Sequence, residues 1–492
     1  MGLLCIRDAT VVPGTPPGAV LERASILIDG ARIAAVGPQV VPPPGAEILE
    51  GRDLIAIPGL VNAHTHSIRT VQRGICENLP LDLWLAWINA HALTFPREAI
   101  YLSALAGATE LLRGGTTALL DHYKEFPGLS VEGMDAVMQA YEQAGIRAAL
   151  APELRDRPGT EALPTHLLPP PPELRPRLDG RPADVEADLA AVETICQRWH
   201  GRHGRLQVMF GPSAPERCTD AFWRRLAERS RALGIGMHTH LLETKLQTFS
   251  AQRLYGVPTL RHLDALGLLD AQVAFAHSIW LTDEEIALLG QRRGRIVHNP
   301  VANLRVGDGI AAVVALHEQG VSIGLGTDGA ASNDRLNMFE VLKQAGLLHR
   351  ATTWDYHRWL GAATILHWGT MGGARALFLE DRIGTLEPGK AADIVLLRRR
   401  SRAFEPLNDL LVQLVYCEDG SSVEAVLVAG RVVVRGGRLL TVDEEALYRE
   451  LEAFREKIPA DWARPFHEVR DYLDRLYQQA MAEPTPIRAL LT

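Results

Sequence analysis

The feature that most restricts the fold is a regular alternation of short apolar segments with helical segments after Pro58. Eight of the apolar segments have the length and composition of buried strands. The predicted strands are 60–64, 117–120, 147–151, 206–210, 235–240, 273–276, 296–298 and 321–326. The predicted helices are 97–113, 131–143, 184–200, 219–233, 282–290, 309–319 and 334–350. This order predicts an α/β protein with a (β/α)₈ TIM barrel, and a doubly wound open sheet is the alternative.

Short β segments lie on both sides of this barrel region. Residues 1–57 contain strand patterns separated by Gly- and Pro-rich turns, and residues 384–440 return to the same pattern. We therefore predict a small β-sandwich domain built from both chain ends, interrupted by the barrel at 58–383 and followed by a helical tail at 441–492. Residues 155–183 are rich in Pro and Arg, and such a long loop is usually a lid, an oligomer contact or disordered.

The composition excludes several classes of function. The net charge is −8 and no long basic segment occurs, which argues against a nucleic-acid partner. The five cysteines are scattered without C-x-x-C spacing, which argues against a disulfide framework. The first apolar run is too short for a signal peptide, and no segment approaches the length of a membrane span. We expect a cytoplasmic protein with no membrane partner, and the Pro-rich loop and helical tail favour a homo-oligomer.

Residues of the types that commonly bind metal ions lie at the ends of five of the predicted barrel strands. In such a barrel the catalytic residues lie at the carboxyl ends of several strands. His64 and His66 are two residues apart, so on a strand both imidazoles face the same side. A single histidine at a strand end is more often structural, but five strand ends that each carry His or Asp indicate a metal site. The residues concerned are His64, His66, His238, His240, Glu243, His277, His298 and Asp328.

Six motifs connect these residues with a known family. They are Pro58-Gly-Leu-Val-Asn-Ala-His-Thr-His66, His240-Leu-Leu-Glu243, His277, His298-Asn-Pro-Val-Ala-Asn303, Gly326-Thr-Asp-Gly-Ala-Ala-Ser-Asn333 and Gly384-Thr-Leu-Glu-Pro-Gly-Lys-Ala-Ala-Asp393. Through them the chain resembles the amidohydrolase superfamily, in the cytosine-deaminase-like branch that holds methylthioadenosine/adenosylhomocysteine deaminases and triazine hydrolases. The motifs cover nearly the whole chain in the family's order. The resemblance implies the metal ligands His64, His66, His240 and Asp328, with Glu243, His277 and Asp328 as catalytic residues.

The resemblance also implies a single metal ion. Binuclear members bridge two ions with a carboxylated lysine at the end of strand four, and here Val208-Met-Phe-Gly-Pro-Ser213 contains no lysine. We expect one divalent ion per chain, Zn²⁺ first and Fe²⁺ as the alternative, since three histidines and an aspartate suit either. Glu243 follows His240 at the family's spacing, so His240 is the expected ligand and His238 a packing residue inside the barrel.

The implied activity is that of an aminohydrolase. Hydroxide generated at the ion attacks a ring carbon, Glu243 transfers the proton and His277 polarises the substrate or stabilises the oxyanion. Asp328 orients the hydroxide and protonates the leaving amine. We therefore expect a deaminase that releases ammonia from a small nitrogen heterocycle. The alternatives are a triazine-type hydrolase expelling chloride or alkylamine, a methylthioadenosine/adenosylhomocysteine deaminase, and a catalytically silent binding protein.

The loops after the strands are expected to determine the substrate. Trp84 and Trp87 either stack on a planar ring or pack against the barrel, and His298 and Asn303 complete the expected contacts. Ser213 stands where nucleoside deaminases of this branch have a histidine that reaches the substrate. Their acidic residue for the ribose has no clear counterpart near Asn89. These two departures disfavour methylthioadenosine and adenosylhomocysteine as substrates.

Overall fold

The structure is a computed structural model that describes residues 2–180, 182–270 and 272–485. Parallel strands form one sheet of five strands and one of four, and the fourth strand position is divided into two short segments. These strands are Leu60–Thr65, Thr116–Tyr123, Arg147–Leu154, Leu206–Val208 with Gly211–Pro212, Met237–Leu241, Val273–His277, Arg295–His298 and Ser322–Leu325. They are almost entirely buried, as expected for parallel strands covered on both faces.

Two junctions join these sheets into a barrel. Phe210 forms a parallel bridge with Met237, which connects the fourth strand position with the fifth. On the opposite side, the amide of Asp328 donates to the carbonyl oxygen of His64 at 2.9 Å, which connects the eighth strand with the first. The prediction of a TIM barrel is confirmed.

Helices surround the barrel. Several begin where a hydroxyl side chain caps the first turn: Ser130, Thr219 and Thr282 each accept a hydrogen bond from a backbone amide three residues later. The helices that follow strand five were not predicted from the sequence. Within the barrel region, the described helices of eight or more residues are Leu81–Ala92, Glu98–Arg113, Val131–Ala144, Val185–Trp199, Asp220–Leu233, Lys245–Tyr255, Asp283–Gln291 and Met338–Leu348. The shorter ones include Gly159–Ala162, Arg175–Asp179, Thr259–Ala265, Pro300–Arg305, Val313–Glu318, Ala330–Asn333, Ala362–His367, Gly373–Ala376 and Leu410–Tyr416.

Strands from both chain ends join in one sheet of nine strands. Leu54–Pro58 pairs antiparallel with Ile394–Arg398 and so connects the two parts of the chain. The sandwich form of this unit and the domain boundaries stay predictions. The nine strands are Leu3–Val11, Leu21–Asp29, Arg32–Gly37, Glu47–Glu50, Leu54–Pro58, Ile394–Arg398, Val423–Val428, Arg431–Arg435 and Arg438–Leu439.

A buried ion pair connects this sheet with the barrel. Arg147 donates from Nε and Nη2 to the carboxylate of Asp393 at 2.8 and 3.0 Å, and the side chains are 1% and 3% exposed. Replacing Arg147 by Met should destabilise the protein by about 3–5 kcal/mol, because the buried carboxylate loses its partner. Urea unfolding would measure the loss. The double variant Arg147→Met/Asp393→Leu should regain part of it, and an unchanged midpoint in the single variant would contradict the assignment.

The Pro-rich segment 155–183 packs on the C-terminal tail, which contains helices Glu444–Arg455 and Arg464–Ala482. The hydroxyl of Tyr472 donates to the carbonyl oxygen of Leu168 at 2.9 Å, and Arg177 forms an ion pair with Glu468 at 2.7 Å. These contacts lie within one chain, and the homo-oligomer stays a prediction.

Arg181 and residues 486–492, which belong to the predicted segment and tail, lie outside the described residues. Within the described part, no helix combines the length and apolar character needed to span a membrane.

Candidate active site

Four side chains converge at the carboxyl end of the barrel. His64 and His66 lie on the first strand, His240 lies on the fifth, and Asp328 follows the eighth. The Nε2 atom of His66 is 3.3 Å from Nε2 of His240 and 3.3 Å from Oδ1 of Asp328. Nε2 of His64 is 3.6 Å from the same oxygen. Ligand atoms at zinc–ligand distances of about 2.0–2.1 Å in a tetrahedron lie about 3.3 Å apart, so the four donors fit one small divalent ion.

Hydrogen bonds determine the tautomers of two of these histidines. Nδ1 of His66 donates to the carbonyl oxygen of His122 at 2.6 Å, and Nδ1 of His240 donates to that of Ser213 at 2.7 Å. Because a carbonyl oxygen only accepts, each Nδ1 carries the proton and each Nε2 has a lone pair. Burial lowers the pKa of both rings, that of His240 to about 4, which disfavours their protonation. Two lone pairs 3.3 Å apart repel each other, and a cation between them removes this repulsion.

His238 supports His64 from inside the barrel. Nε2 of His238 lies 2.8 Å from Nδ1 of His64, and both rings are fully buried. Nε2 of His64 has no hydrogen-bond partner among the described residues and faces Asp328. When this Nε2 binds a metal ion, Nδ1 carries the proton and donates to His238. His238 is therefore packed inside the barrel, as predicted, and in addition orients a candidate ligand.

Replacing His238 by Phe should weaken metal affinity by about 10–100-fold, because the partner that orients the His64 ring is lost. Competition with a chelator of known affinity would measure this change. A His238→Gln variant keeps an acceptor for His64 and should lose less affinity. Equal affinity in the Phe variant and the unaltered protein would refute this role.

Glu243 and His277 lie beside the donor set. Nδ1 of His277 is 2.9 Å from Oδ1 of Asn303 and 3.3 Å from Oε1 of Glu243, so Nδ1 carries the proton. Burial lowers the pKa of His277, and in the described part of the chain no group forms a hydrogen bond with its Nε2 atom. A neutral His277 therefore presents an acceptor at Nε2. The donor role predicted from the family requires the imidazolium form.

Several carboxyl groups share this side of the site. Burial raises the pKa of Glu243 well above its usual range, and Asp328 and Asp82 raise it further. Burial also raises the pKa of Asp82 to about 7 and that of Asp308, next to Glu243, well above its usual range. A raised pKa brings the proton exchange of a carboxyl group closer to neutral pH than in an ordinary carboxyl group, which suits a general acid or base.

A cavity of about 480 Å³ lies against the donor set and is lined by His66, His240, Glu243 and Asp328, among others. Of the predicted substrate contacts, Trp84 and Ser213 also line it, whereas Trp87, His298 and Asn303 do not. Residues from the Pro-rich segment, including Leu163 and Pro176 to Gly180, line it as well, which favours the lid among the alternatives.

The three predicted contacts that do not line the cavity lie in other surroundings. Trp87 packs against Trp462, with ring centroids 4.6 Å apart, because the C-terminal tail covers this face of the helix. His298 is 1% exposed, and burial lowers its pKa to about 3. Asn303 instead holds the ring of His277. Asn303 therefore acts on the site indirectly, through a catalytic candidate.

The polar residues at the ends of strands two and three were not predicted from the sequence. The predicted strands end at Leu120 and Ala151, but the observed ones continue to Tyr123 and Leu154. Charged residues follow each of these two apolar runs closely. If each strand is extended by a few residues, they lie at its carboxyl end, where a barrel carries its catalytic residues. The residues concerned are His122, Lys124, Glu153 and Arg155.

Comparison with known proteins places this site in a family. Residues 55–433 match the model of the amidohydrolase family. The chain belongs to the amidohydrolase family. It is 36% identical over 458 residues to the 5-methylthioadenosine/S-adenosylhomocysteine deaminase of Moorella thermoacetica, a match that covers 92% of this chain and 98% of the relative. It is 30% identical to the 5'-deoxyadenosine deaminase of Methanosarcina mazei, with 94% and 99% covered.

Two solved structures share the fold. The zinc-bound adenosine deaminase of Xanthomonas campestris superimposes with a TM-score of 0.82 at 31% identity, covering 92% of this chain and 98% of that one. A triazine hydrolase from Arthrobacter aurescens superimposes with a TM-score of 0.84 at 28% identity, covering 93% and 100%. Family membership thus agrees with the resemblance carried by the motifs.

Proposed function

We propose that this amidohydrolase is a metal-dependent deaminase that releases ammonia from a small aminated nitrogen heterocycle. The observation that carries the proposal is the pair of opposed Nε2 lone pairs on His66 and His240, completed by Asp328 and His64 and placed beside the Glu243 carboxyl. The curated relatives are deaminases of adenine nucleosides by name, which supports the same reaction class.

The donor set would hold a single divalent ion, with zinc as the first candidate and ferrous iron as the second. His64, His66, His240 and Asp328 would be the ligands, since three imidazoles and one carboxylate suit either ion. When bound, such an ion lowers the pKa of water from about 15.7 towards ~7. The zinc in the related adenosine deaminase structure supports the first candidate.

The residues beside the donor set would move the proton. Glu243 accepts the proton of the attacking water and delivers it to the ring nitrogen next to the reacting carbon. The hydroxyl of Ser332 donates to Oδ2 of Asp328 at 2.8 Å and so fixes the carboxylate with Oδ1 towards the histidines. Asn303 holds His277 with its Nε2 atom free to accept a hydrogen bond. Asp328 would pass the proton of the added hydroxyl group to the leaving amine, which departs as ammonia.

A triazine-type hydrolase that expels chloride or alkylamine is the second candidate. The superposition on triazine hydrolase with a TM-score of 0.84 favours it. The cavity lining favours the first candidate, because the charged side chains of Arg69, Asp82, Lys124 and Glu216 suit a substrate with polar substituents. The intact set of ligands and Glu243 argues against a catalytically silent binding protein.

A substrate screen tests the proposal. Purified protein loaded with zinc would be assayed for ammonia release from adenine nucleosides, aminopurines, aminopyrimidines, pterins and aminotriazines. Chloride and alkylamine release from substituted triazines would be followed in parallel. Ammonia from at least one ring class is expected. Release of chloride or alkylamine alone would favour the second candidate, and no product from any compound would overturn both.

A further inference from the structure

A second carboxyl group, that of Asp308, lies against the carboxyl group of Glu243. The two side chains form a hydrogen bond with each other, and the residues are only 4% and 6% exposed. Glu243 lines the cavity, whereas Asp308 does not. Asp308 can therefore act on a substrate in the cavity through Glu243 and not by direct contact.

Backbone hydrogen bonds hold Asp308 in place. Its amide donates to the carbonyl oxygen of Asn303 at 2.8 Å, and Nε1 of Trp280 donates to the carbonyl oxygen of Asp308 at 2.9 Å. The side chain of Asn303 in turn holds the ring of His277. One segment after the seventh strand thus carries a partner for each of two catalytic candidates, Asn303 for His277 and Asp308 for Glu243.

At least one proton lies on this pair of carboxyl groups. An ionised carboxylate only accepts hydrogen bonds, so a hydrogen bond between two carboxyl groups requires the protonated form of one of them. Two ionised carboxylates in contact also repel each other, which disfavours the ionisation of both. The pair of Glu243 and Asp308 therefore differs from an isolated catalytic carboxylate, because one member supplies an O–H donor.

The surroundings favour the proton on Asp308. Apart from Glu243, no described residue forms a hydrogen bond with the Asp308 carboxyl group, and its Oδ2 atom is buried. A negative charge on that group would lack both solvent and hydrogen-bond donors. Burial raises the pKa of both groups, but their mutual hydrogen bond raises the pKa of Asp308 further and lowers that of Glu243. Glu243, which borders the cavity, is thus the member that carries the negative charge.

We propose that Asp308 is a positioning residue for Glu243: its carboxylic acid donates a hydrogen bond to the Glu243 carboxylate and keeps that carboxylate ready to accept the proton of the attacking water. Glu243 gains one proton from the water and passes it to the ring nitrogen, while Asp308 keeps its own proton throughout. The inference rests on the proposed deaminase function and adds a residue to which that function assigns no role.

Replacing Asp308 by Leu tests the inference, because Leu has a similar size and no hydrogen-bond donor. Without the donor, the ionised form of Glu243 is less stable and its pKa rises. Since the ionised form is the active one, the acidic limb of the pH profile of kcat should move to higher pH by about one to two units. On this limb, kcat should fall about 10–100-fold at a given pH. The KM should not change, because Asp308 does not line the cavity.

Asp308→Asn is the rescue variant, because its amide N–H donates to Glu243 as the protonated acid does. On the acidic limb its kcat should exceed that of the Leu variant by at least about 10-fold, with the pH profile of the wild type. Asp53→Asn, at an exposed position paired with Arg400, is the matched control and should leave kcat and the profile unchanged. A Leu variant with the wild-type profile would overturn the inference. An Asn variant whose acidic limb moves to lower pH would also overturn it, since Asp308 would then be ionised in the wild type.

The other titratable groups that face this pair are the same in all variants. They are Asp82, Glu216, His277, Asp328 and Tyr477. A shift of the pH profile that is confined to the Asp308 variants therefore reports on the pair of Glu243 and Asp308.

Infrared spectroscopy separates this inference from the proposed function. At neutral pH, the difference spectrum between wild-type and Asp308→Asn protein should contain the C=O band of one protonated carboxylic acid, because groups such as Asp82 and Glu216 contribute to both spectra and cancel. Absence of this band would overturn the inference, even if ammonia is released from a substrate. Presence of the band when no compound of the screen releases ammonia would support the proton on Asp308 and overturn only the deaminase proposal.

Discussion

Replacing Glu243 by Gln should lower kcat for ammonia release by about 10²–10⁴-fold, the contribution typical of a positioned general acid–base group. Gln has nearly the same size as Glu, but its amide cannot take a proton from water and deliver it to a ring nitrogen. Glu243 is 6% exposed and lies 3.3 Å from Nδ1 of His277, so bulk water cannot easily replace it as the proton carrier. Steady-state kinetics with the best compound of the screen would measure the loss.

The metal content of the Glu243→Gln variant should not change, since Glu243 is not among the proposed ligands. Elemental mass spectrometry would check this in the same preparation. Glu284→Gln, at an exposed position paired with Arg261, is the control for a general effect of losing a carboxylate. Turnover of the true substrate that persists in the Glu243 variant would show that another group moves the proton.

Removing the metal ion with a chelator should abolish turnover and lower the thermal unfolding midpoint. Without a cation, the lone pairs of His66 and His240 face each other at 3.3 Å in a buried site. An ion present at about 1,000 times its dissociation constant contributes about 4 kcal/mol to the stability of the folded state. Differential scanning calorimetry before and after chelation would measure the shift, and adding back zinc or ferrous iron should restore activity.

The same preparations should contain one metal ion per chain. His66→Ala should lose most of its metal, whereas His357→Ala, at an exposed histidine outside the site, should retain it. Two ions per chain would refute a mononuclear site. In that case His122, whose ring centroid lies 4.6 Å from that of His240, would be the first residue to examine as an additional ligand.

Much of the barrel and its metal donors could be predicted from local sequence patterns. Apolar residues recur at different spacings in strands and in helices, so the two can be told apart in the sequence. A parallel barrel also places the carboxyl ends of all its strands on one face. For this reason His64, His240 and Asp328 could be assigned to one site although they are far apart in the chain. The ends of strands two and three were misjudged because Asp121 and His122 are polar yet fully buried within the second strand.

Contacts between distant segments could not be predicted. The partner of His64 is His238, 174 residues away, and only the folded barrel shows that one ring orients the other. Trp87 and Trp84 lie on the same helix with similar surroundings in sequence. Only the position of the C-terminal tail places Trp87 against Trp462 and leaves Trp84 to line the cavity.

The sequence by itself therefore predicted the barrel from its repeated local pattern. Through the family resemblance, its motifs also predicted the candidate donors His64, His66, His240 and Asp328 and the candidate proton carrier Glu243. Only the tertiary structure decided which charged side chains line the cavity at the candidate site. Arg69, Lys124, Arg155 and Arg217 come from four different loops, and in the sequence each resembles an ordinary surface cation. They line one cavity, together with carboxyl groups such as Glu153 and Glu216, only because the loops meet at the mouth of the barrel.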